Sequence, residues 1–182
     1  MNLTLITSNE NKIREFKLLL EPEIKVEPLK LAYPELRSDD PAEIVEMAAM
    51  QLAYKLERPV IVEDSGFFVD ALGGFPGTCT AYVSKRIGNK GLLKIMKSVK
   101  NRKCWYKSAI GYCEPGKKPI SFLGVEEGKV ALKELGSKGW GQDPIFIPKG
   151  KKKTYGQLRK GNDVNVFRRR AIERLKEYLL TT

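Results

Sequence analysis

The sequence predicts an α/β fold in which a mixed β-sheet is flanked by helices, with two lobes and a central cleft. Two observations lead to this prediction. Strand and helix patterns alternate over residues 2–62, whereas two strands joined by a hairpin turn follow in the second half. A chain of 182 residues, 42% of them hydrophobic, can build a core without disulfides, so we expect one domain spanning residues 1–182. A cleft between lobes is the natural place for a ligand.

The first part of the chain reads as strand, helix, strand, helix and strand. Asp40 is placed to cap the second helix, with Pro41 at its first position. The predicted elements are a strand at Asn2–Ile6, a helix with apolar positions at Ile13, Phe16 and Leu19 or Leu20, a strand at Ile24–Leu29, a helix from Pro41 through Leu56, and a short buried strand at Val60–Val62.

The second part begins with turn chemistry at residues 71–77, where glycine and proline are too frequent for a regular element. The elements predicted after it are a short helix at Gly91–Ser98, strands at Trp105–Cys113 and Pro119–Val125 joined by a turn at 114–117, a loop at 136–143, an extended piece at 144–147, and an amphipathic helix at Val164–Tyr178.

The chain contains no histidine, which excludes imidazole as a general base or a zinc ligand, so acid–base chemistry falls to carboxylates, lysine or tyrosine. Lys and Arg number 33 against 22 for Asp and Glu, and the formal charge of +11 favours anionic partners. Three irregularly spaced cysteines indicate reduced thiols. With no apolar run long enough to cross a bilayer and no signal peptide, we expect a cytoplasmic protein without membrane contact.

Two acids, Glu63 and Asp64, follow the strand at Val60–Val62 and precede Ser65-Gly66. The end of a strand is where open α/β sheets commonly bind ligands. Paired acids next to a buried strand are costly unless a cation meets them, and hard carboxylate oxygens suit Mg²⁺ that also binds substrate phosphates. The alternative is a solvated acidic turn.

A second segment, Thr7-Ser8-Asn9 followed by Lys12, lies where the first strand gives way to the first helix. Helix N–H groups, short hydroxyls and an ammonium group there can bind a phosphate. An ordinary helix N-cap has the same sequence features. Glu15 lies one turn beyond Lys12, and the two can form either a surface pair or a metal-and-phosphate pair.

A third segment, Gly139-Trp140-Gly141-Gln142-Asp143-Pro144, combines a flat aromatic with two glycines that let the backbone approach a ligand. Gln142 and Asp143 in it can hydrogen-bond a base edge. A tight loop pinned by a buried Trp is the alternative. Two basic clusters remain: the lysine run at 149–153 is typical of a solvated loop, and the three arginines at 168–170 must point in different directions on a helix.

The order of these motifs resembles the inosine triphosphate pyrophosphatase family, whose members hydrolyse non-canonical purine nucleoside triphosphates to the monophosphate and pyrophosphate. The resemblance runs over nearly the whole chain. It rests on Thr7-Ser8-Asn9 with Lys12 and Glu15, on Glu63-Asp64-Ser65-Gly66 with Ala71-Leu72-Gly73-Gly74 and Pro76-Gly77, and on Trp140-Gly141-Gln142-Asp143-Pro144-Ile145-Phe146.

This resemblance implies a Mg²⁺-dependent hydrolase in which Asp64 binds the metal and accepts a proton from the attacking water, with Glu35 as a second metal ligand. It also implies a homodimer and the family's fold. The substrate contacts that it implies are Thr7, Ser8, Asn9, Lys12, Ser65, Trp140, Gly141, Gln142, Asp143, Asn162, Phe167 and Arg168.

The chain departs from the family pattern at several cationic positions. Ala48 and Asn162 stand where lysines are usual, and Phe167 stands where a histidine is usual. Lost phosphate contacts weaken binding or slow chemistry, by about 1–3 kcal/mol each if no neighbour substitutes. The leading hypothesis is hydrolysis of ITP, dITP or XTP; the alternative is a catalytically impaired nucleotide-binding protein on the same fold. Nucleic acid is not favoured as a partner, because no nucleic-acid motif accompanies the positive charge.

Overall fold

The computed structural model describes residues 2–158 and 163–181. These residues form two compact units. Unit 1 lies within Met1–Asp64, Ser108–Gly124 and Val164–Thr182, and unit 2 lies within Ser65–Lys107 and Val125–Asp163. The predicted division into two lobes is therefore present as two units.

The described residues contain a seven-stranded mixed sheet, so the predicted sheet type is confirmed. Its strands run in the order β2-β1-β3-β5-β6-β7, and β4 pairs with β3. β1 is parallel to β2 and β3, whereas the β3–β4 and β6–β7 pairs are antiparallel. The strands are β1 (Asn2–Ile6), β2 (Lys25–Leu29), β3 (Val60–Val69), β4 (Pro76–Gly77), β5 (Lys103–Cys113), β6 (Ile120–Val130) and β7 (Phe146–Pro148).

Helices flank the sheet as predicted, and the first two have side-chain N-caps. Asn9 caps α1 by accepting hydrogen bonds from the N–H groups of Asn11 and Lys12, and Asp40 caps α2 by accepting one from Ala42. None of the helices within residues 2–158 and 163–181 is both long and apolar enough to cross a bilayer. The helices are α1 (Glu10–Leu20), α2 (Pro41–Leu56), α3 (Thr80–Arg86), α4 (Gly88–Ile95), α5 (Tyr155–Leu158) and α6 (Val166–Thr181).

Unit 1 has an apolar core in which α1 and α6 pack against the sheet. Leu3 and Leu5 of β1 are fully buried there with Phe16 of α1 and Leu175 of α6. A second cluster buries the apolar face of α2, including Ala49 and Leu52, against β1 and β3. Burying a Leu or Phe side chain contributes about 1.5–3 kcal/mol, so these contacts fix the helices that carry the candidate site.

Unit 2 has an aromatic core. The rings of Phe67, Tyr106 and Phe146 meet edge to face, with centroids 4.8 to 6.1 Å apart. These three residues lie on β3, β5 and β7, so aromatic contacts join the sheet strands of this unit.

The largest difference from the sequence prediction is the length of β3. The prediction ended this strand at Val62, but it continues to Val69, so Glu63-Asp64-Ser65-Gly66 lies within the strand and not after it. Phe67, Phe68 and Val69 favour extended structure, and Phe67 and Phe68 pair with β4. The acids are tolerated inside the strand because cations reach Glu63, as described below.

Other differences concern short elements. Helix α3 was not predicted, because Thr80–Arg86 lacks a buried apolar face, and none of its residues is buried. Helix α4 begins three residues before the predicted Gly91. Strand β6 extends five residues beyond the predicted Val125. The four-residue α5 was also missed, because one turn is too short to show a helical period.

Candidate active site

Glu63 and Asp64 are neighbours on β3 and have different surroundings. Successive residues of a strand point to opposite faces of the sheet. The Glu63 side chain is fully buried, whereas Asp64 and Ser65 are half-buried. The two adjacent acids therefore differ in burial: the side chain of Glu63 is internal, and Asp64 is only half-buried.

The charge of Glu63 is compensated on both carboxylate oxygens. Lys12 Nζ lies 2.6 Å from Oε2 and also donates to the Glu63 carbonyl oxygen at 2.9 Å. On Oε1, Ser108 Oγ donates at 2.6 Å and Arg168 Nε at 3.1 Å. Burial alone would raise the pKa of Glu63, but the charges of Arg168 and Lys12 and the hydrogen bonds from Lys12 and Ser108 lower it to about 2. Glu63 is therefore ionised at neutral pH.

Arg168 connects Glu63 to a second buried acid, Glu15. Its Nη1 donates to Glu15 Oε2 at 2.7 Å, and Asn165 Nδ2 donates to Glu15 Oε1 at 3.3 Å. The side chains of Arg168, Glu15 and Glu63 are 0% exposed. The surface pair considered for Lys12 and Glu15 is not found, because Glu15 is buried against α6 and Lys12 pairs with Glu63. Two buried acids are thus balanced by two cations, as buried charges require.

Three acids of unit 1 affect the Tyr33 hydroxyl. Burial raises the pKa of the Tyr33 hydroxyl, and so do the charges of Glu35, Asp64 and Glu63 and a hydrogen bond to Glu35. Tyr33 is hydrogen-bonded to Glu35, and the charges of Asp64 and Glu63 act on it as well. Glu35, predicted as a metal ligand, is exposed.

The donor chemistry of Glu35 and Asp64 fits Mg²⁺. The described part of the chain contains no cluster of three or more Asp, Glu or Cys residues that could hold a metal ion. Mg²⁺ rarely needs such a cluster, since it keeps several waters and is commonly bound by one or two carboxylates together with substrate phosphates. Glu35 and Asp64 supply two carboxylates of this kind.

The Thr7–Lys12 segment is an N-cap of α1 in this structure. Asn9 Oδ1 accepts from the N–H groups of Asn11 and Lys12, and Thr7 Oγ1 accepts from Asn9 N at 3.2 Å. Ser8 is exposed. The capping alternative is thus realised, and phosphate binding by the same segment stays a prediction.

The Trp140–Asp143 segment forms a tight turn in unit 2 that uses its own polar groups. Asp143 Oδ2 accepts from Trp140 N at 3.0 Å, and Asp143 is only 2% exposed. Gln142 is 5% exposed, and its Nε2 donates to Ser84 Oγ at 2.6 Å. Asn89 Nδ2 donates to the carbonyl of Gly141 at 3.0 Å. Helices α3 and α4 therefore hold this loop through one side chain each.

Two of the remaining predicted residues, Phe167 and Arg168, lie in α6. Phe167 is buried, and the Arg168 guanidinium is engaged by the two glutamates. Asn162 lies outside the described residues. Substrate contacts of Phe167, Arg168 and Asn162 stay predictions.

Several residues of these networks were not singled out from the sequence. Ser108 had a detectable signal, because it is a small polar residue at an inward position of the alternating strand β5. Ser84, Asn89 and Asn165 had none, because each is an ordinary polar residue whose partner is distant in sequence. Tyr33 was also not singled out.

The comparisons with known proteins agree with one another. A model of the Ham1 family matches residues 3–178. A protein of Methanopyrus kandleri named dITP/XTP pyrophosphatase is 43% identical over 180 residues, which cover 98% of this chain and 96% of that protein. A protein of Methanosarcina acetivorans with the same name is 41% identical, with 97% and 96% covered. The Ham1 protein of Staphylococcus aureus has a similar solved structure, with a TM-score of 0.88 and 27% identity, covering 100% of this chain and 99% of that one.

Proposed function

The chain belongs to the Ham1 family, and we propose that it hydrolyses non-canonical purine nucleoside triphosphates such as ITP, dITP and XTP to the monophosphate and pyrophosphate. Two relatives named dITP/XTP pyrophosphatase share at least 41% identity over at least 97% of the chain, which supports this activity. The structural observation that supports this chemistry is a pair of adjacent acids on β3. Asp64 is half-buried and follows Glu63, which is buried and charge-compensated.

In the proposed reaction, water attacks the α-phosphorus and the bond to the bridging oxygen breaks, releasing pyrophosphate. Asp64 takes the proton of the attacking water on its carboxylate. The ion pairs of Glu63 with Lys12 and Arg168 hold the strand from which Asp64 projects, so the base is fixed before the substrate arrives. Fixed geometry of this kind lowers the reorganisation that the reaction requires.

Glu35 and Asp64 are the proposed ligands of Mg²⁺. When bound there, Mg²⁺ would neutralise phosphate charge and orient the triphosphate. The support is the donor chemistry of the two carboxylates, both of which raise the pKa of the Tyr33 hydroxyl.

The substrate contacts of the proposal fall into two sets. Thr7, Ser8 and Asn9 at the start of α1, with Lys12 and Ser65, are assigned to the phosphates, because the N-terminus of a helix favours anions. Trp140 and Gly141 are assigned to the base, because Trp140 supplies a ring that can stack on it. Gln142 and Asp143 support this loop from within, since both are buried and hydrogen-bonded inside unit 2.

A pyrophosphate-release assay tests the proposal. Purified protein is incubated with ITP, dITP, XTP and the four canonical triphosphates, with Mg²⁺ and with EDTA. We expect release from the non-canonical purines only when Mg²⁺ is present, and a loss of about 10³-fold or more in kcat for Asp64→Asn, because the proton acceptor and a metal ligand are removed together. Asp70→Asn, which changes an exposed carboxylate of unit 2, is the control and should keep full activity.

Two results contradict the proposal. The first is the absence of turnover with any of these nucleotides. The second is nucleotide binding by calorimetry without pyrophosphate release, which describes the catalytically impaired alternative. No observation favours that alternative at present.

We further propose a cytoplasmic homodimer in which residues 1–182 act as one domain. Strands β3, β5 and β6 each contribute residues to both units, which supports one domain.

An apolar stripe on α2 supports self-association: Met47, Met50 and Tyr54 follow one another at helical spacing and are 40%, 41% and 81% exposed. Light scattering of the purified chain tests the dimer, and a monomer at micromolar concentration would contradict it.

A further inference from the structure

The net positive charge of the chain is confined to one of its units. Unit 2 contains 18 Lys and Arg residues against 6 Asp and Glu residues, whereas unit 1 contains 15 against 16. The formal charge of +11 therefore comes entirely from unit 2. A concentrated positive field attracts anions to that unit.

Within unit 2, a cavity of about 230 Å³ lies beside the edge strand of the sheet. Its wall consists of the end of β6, the end of β7 and the loop that follows β7. The lining residues are Glu127, Gly128, Lys129, Ile147, Pro148, Lys149, Gly150 and Lys151. None of them belongs to the proposed catalytic site.

Backbone hydrogen bonds build this cavity. Lys149 N donates to the Glu127 carbonyl at 2.9 Å and so continues the β6–β7 ladder by one step. Lys151 N then donates to the Pro148 carbonyl at 3.0 Å, and Gly150 between them has a φ of +76°, which a glycine adopts without strain. The loop is thus a defined turn that brings two lysines back beside the strand.

The cavity has an excess of positive charge. Its acid, Glu127, is already paired with Lys149 Nζ at 2.7 Å and lies 3.9 Å from Lys103 Nζ. Within residues 2–158 and 163–181, Lys129 and Lys151 form no ion pair, so their ammonium groups remain available. Ammonium groups act as compact point charges that suit phosphate oxygens. The lining contains no arginine and no aromatic residue, so the cavity cannot recognise a nucleotide base by stacking or by a bidentate hydrogen bond.

Protection of the sheet edge does not account for these lysines. Lysines on an edge strand prevent two sheets from pairing. Strand β7 is already unsuited to pairing, because it has only three residues and ends in Pro148, which lacks an N–H group.

We propose that this cavity is an anion site that binds phosphate groups, separate from the catalytic function proposed above. The phosphate can come from a small free anion of the size of pyrophosphate or from a nucleic-acid backbone. Both sources present the same oxygens to Lys129, Lys149 and Lys151, so the two are distinguished by experiment.

The test compares two triple variants of equal charge. The cavity variant carries Lys129→Gln, Lys149→Gln and Lys151→Gln; the control carries Lys90→Gln, Lys94→Gln and Lys97→Gln, three exposed lysines on and just after α4. Binding of sodium pyrophosphate and of a twelve-residue oligothymidylate is measured by calorimetry and fluorescence anisotropy in EDTA, so no turnover is needed. Loss of the proposed pyrophosphatase activity would not affect this readout.

We expect the cavity variant to bind pyrophosphate about tenfold or more weakly and the control variant less than about twofold more weakly. If the cavity instead binds the phosphates of a nucleic acid, binding of the oligothymidylate is lost in the cavity variant only. The slope of log Kd against log salt then falls by about 2, because each of the three contacts to a single-strand phosphate contributes roughly 0.7. Equal weakening in both variants, or no binding of either probe by the unmodified chain, overturns the proposal. If the triple variant does not fold, as judged by its melting temperature, the single variants Lys129→Gln and Lys151→Gln are compared in the same way.

Discussion

At the scale of single residues, Arg168 has the most demanding environment. Its side chain is 0% exposed. Among the described residues of α6, it alone forms ion pairs with both Glu15 and Glu63. The sequence placed it within a run of three arginines, where its neighbours Arg169 and Arg170 are exposed. Burial of one arginine among three identical ones follows from the helical period, which points only one of them at the core.

We predict that Arg168→Ala destabilises the protein by about 3–5 kcal/mol, because it leaves two buried carboxylates without their shared cation. The midpoint of urea unfolding measures this change. Arg169→Ala, an exposed neighbour on the same helix, is the matched control and should change stability by less than about 0.5 kcal/mol. Similar midpoints for the two variants would show that the buried pairs contribute little.

Ser84 is a second residue whose structural role could not be expected from its residue type. It accepts the hydrogen bond of the buried Gln142 amide, and Gln142 follows the exposed Gly141 in the loop assigned to the base. An alanine at position 84 would leave this amide without its acceptor, at a cost of about 1 kcal/mol or more.

We predict that Ser84→Ala raises KM for ITP about fivefold while kcat changes less than about twofold, because the loop loses its fixed conformation and the proton acceptor does not. Steady-state kinetics measure both constants. Ser98→Ala, at an exposed position of the same unit, is the control. A fall in kcat with unchanged KM would contradict a positioning role for Ser84.

At the scale of elements, Gly124 of β6 sets how closely α6 approaches the sheet. A Cβ atom there would lie 1.9 Å from the carbonyl oxygen of Phe167 and 2.7 Å from the N atom of Ala171. Backbone atoms of a helix cannot move aside as a flexible side chain can. The absence of a side chain at one position of β6 thus allows α6 to pack where its Arg168 reaches Glu63.

We predict that Gly124→Ala destabilises the protein by about 1–3 kcal/mol, as overpacking does, and also lowers the activity. The activity falls because α6 and Arg168 move away from β3. Gly116→Ala, in the turn before β6, is the comparison: its φ of +76° adds strain, but no atom lies within 4 Å of its Cβ, so its activity should be unchanged. Thermal unfolding and the pyrophosphate assay measure the two effects separately, and a fully active Gly124→Ala would contradict the link.

At the scale of the whole molecule, charge and chemistry are divided between the units. The described network of Lys12, Glu15, Glu63 and Arg168 lies in unit 1, whose formal charge is close to zero. Unit 2 contains the excess of lysine and arginine. A nucleoside triphosphate is strongly anionic, so the excess positive charge of unit 2 should attract it electrostatically before it binds.

We predict that kcat/KM for ITP falls several-fold between about 50 mM and 500 mM salt, whereas kcat changes less than about twofold, because screening shortens the range of the field and leaves the bound state largely unaffected. Kinetics at saturating Mg²⁺ measure this. The triple variant of Lys90, Lys94 and Lys97 should show a weaker salt dependence, and a kcat/KM independent of salt would contradict electrostatic capture.

The early order of strands and helices, the cap Asp40 and the family could be predicted from the sequence alone, because periodicity, capping and motif order are local signals. The sequence left both an N-cap and a phosphate site open for the segment that contains Asn9. It also selected the segment Glu63–Gly66. It did not determine that β3 continues through this segment, that Glu63 is buried while Asp64 is half-buried, or that Gln142 turns inward to Ser84. These points follow from the three-dimensional packing, because each depends on partners far apart in the chain: Arg168 lies 105 residues from Glu63, and Ser84 lies 58 residues from Gln142. A local pattern carries no information on which distant cation will meet a buried acid, and that pairing is what decides whether the acid can remain charged inside a strand.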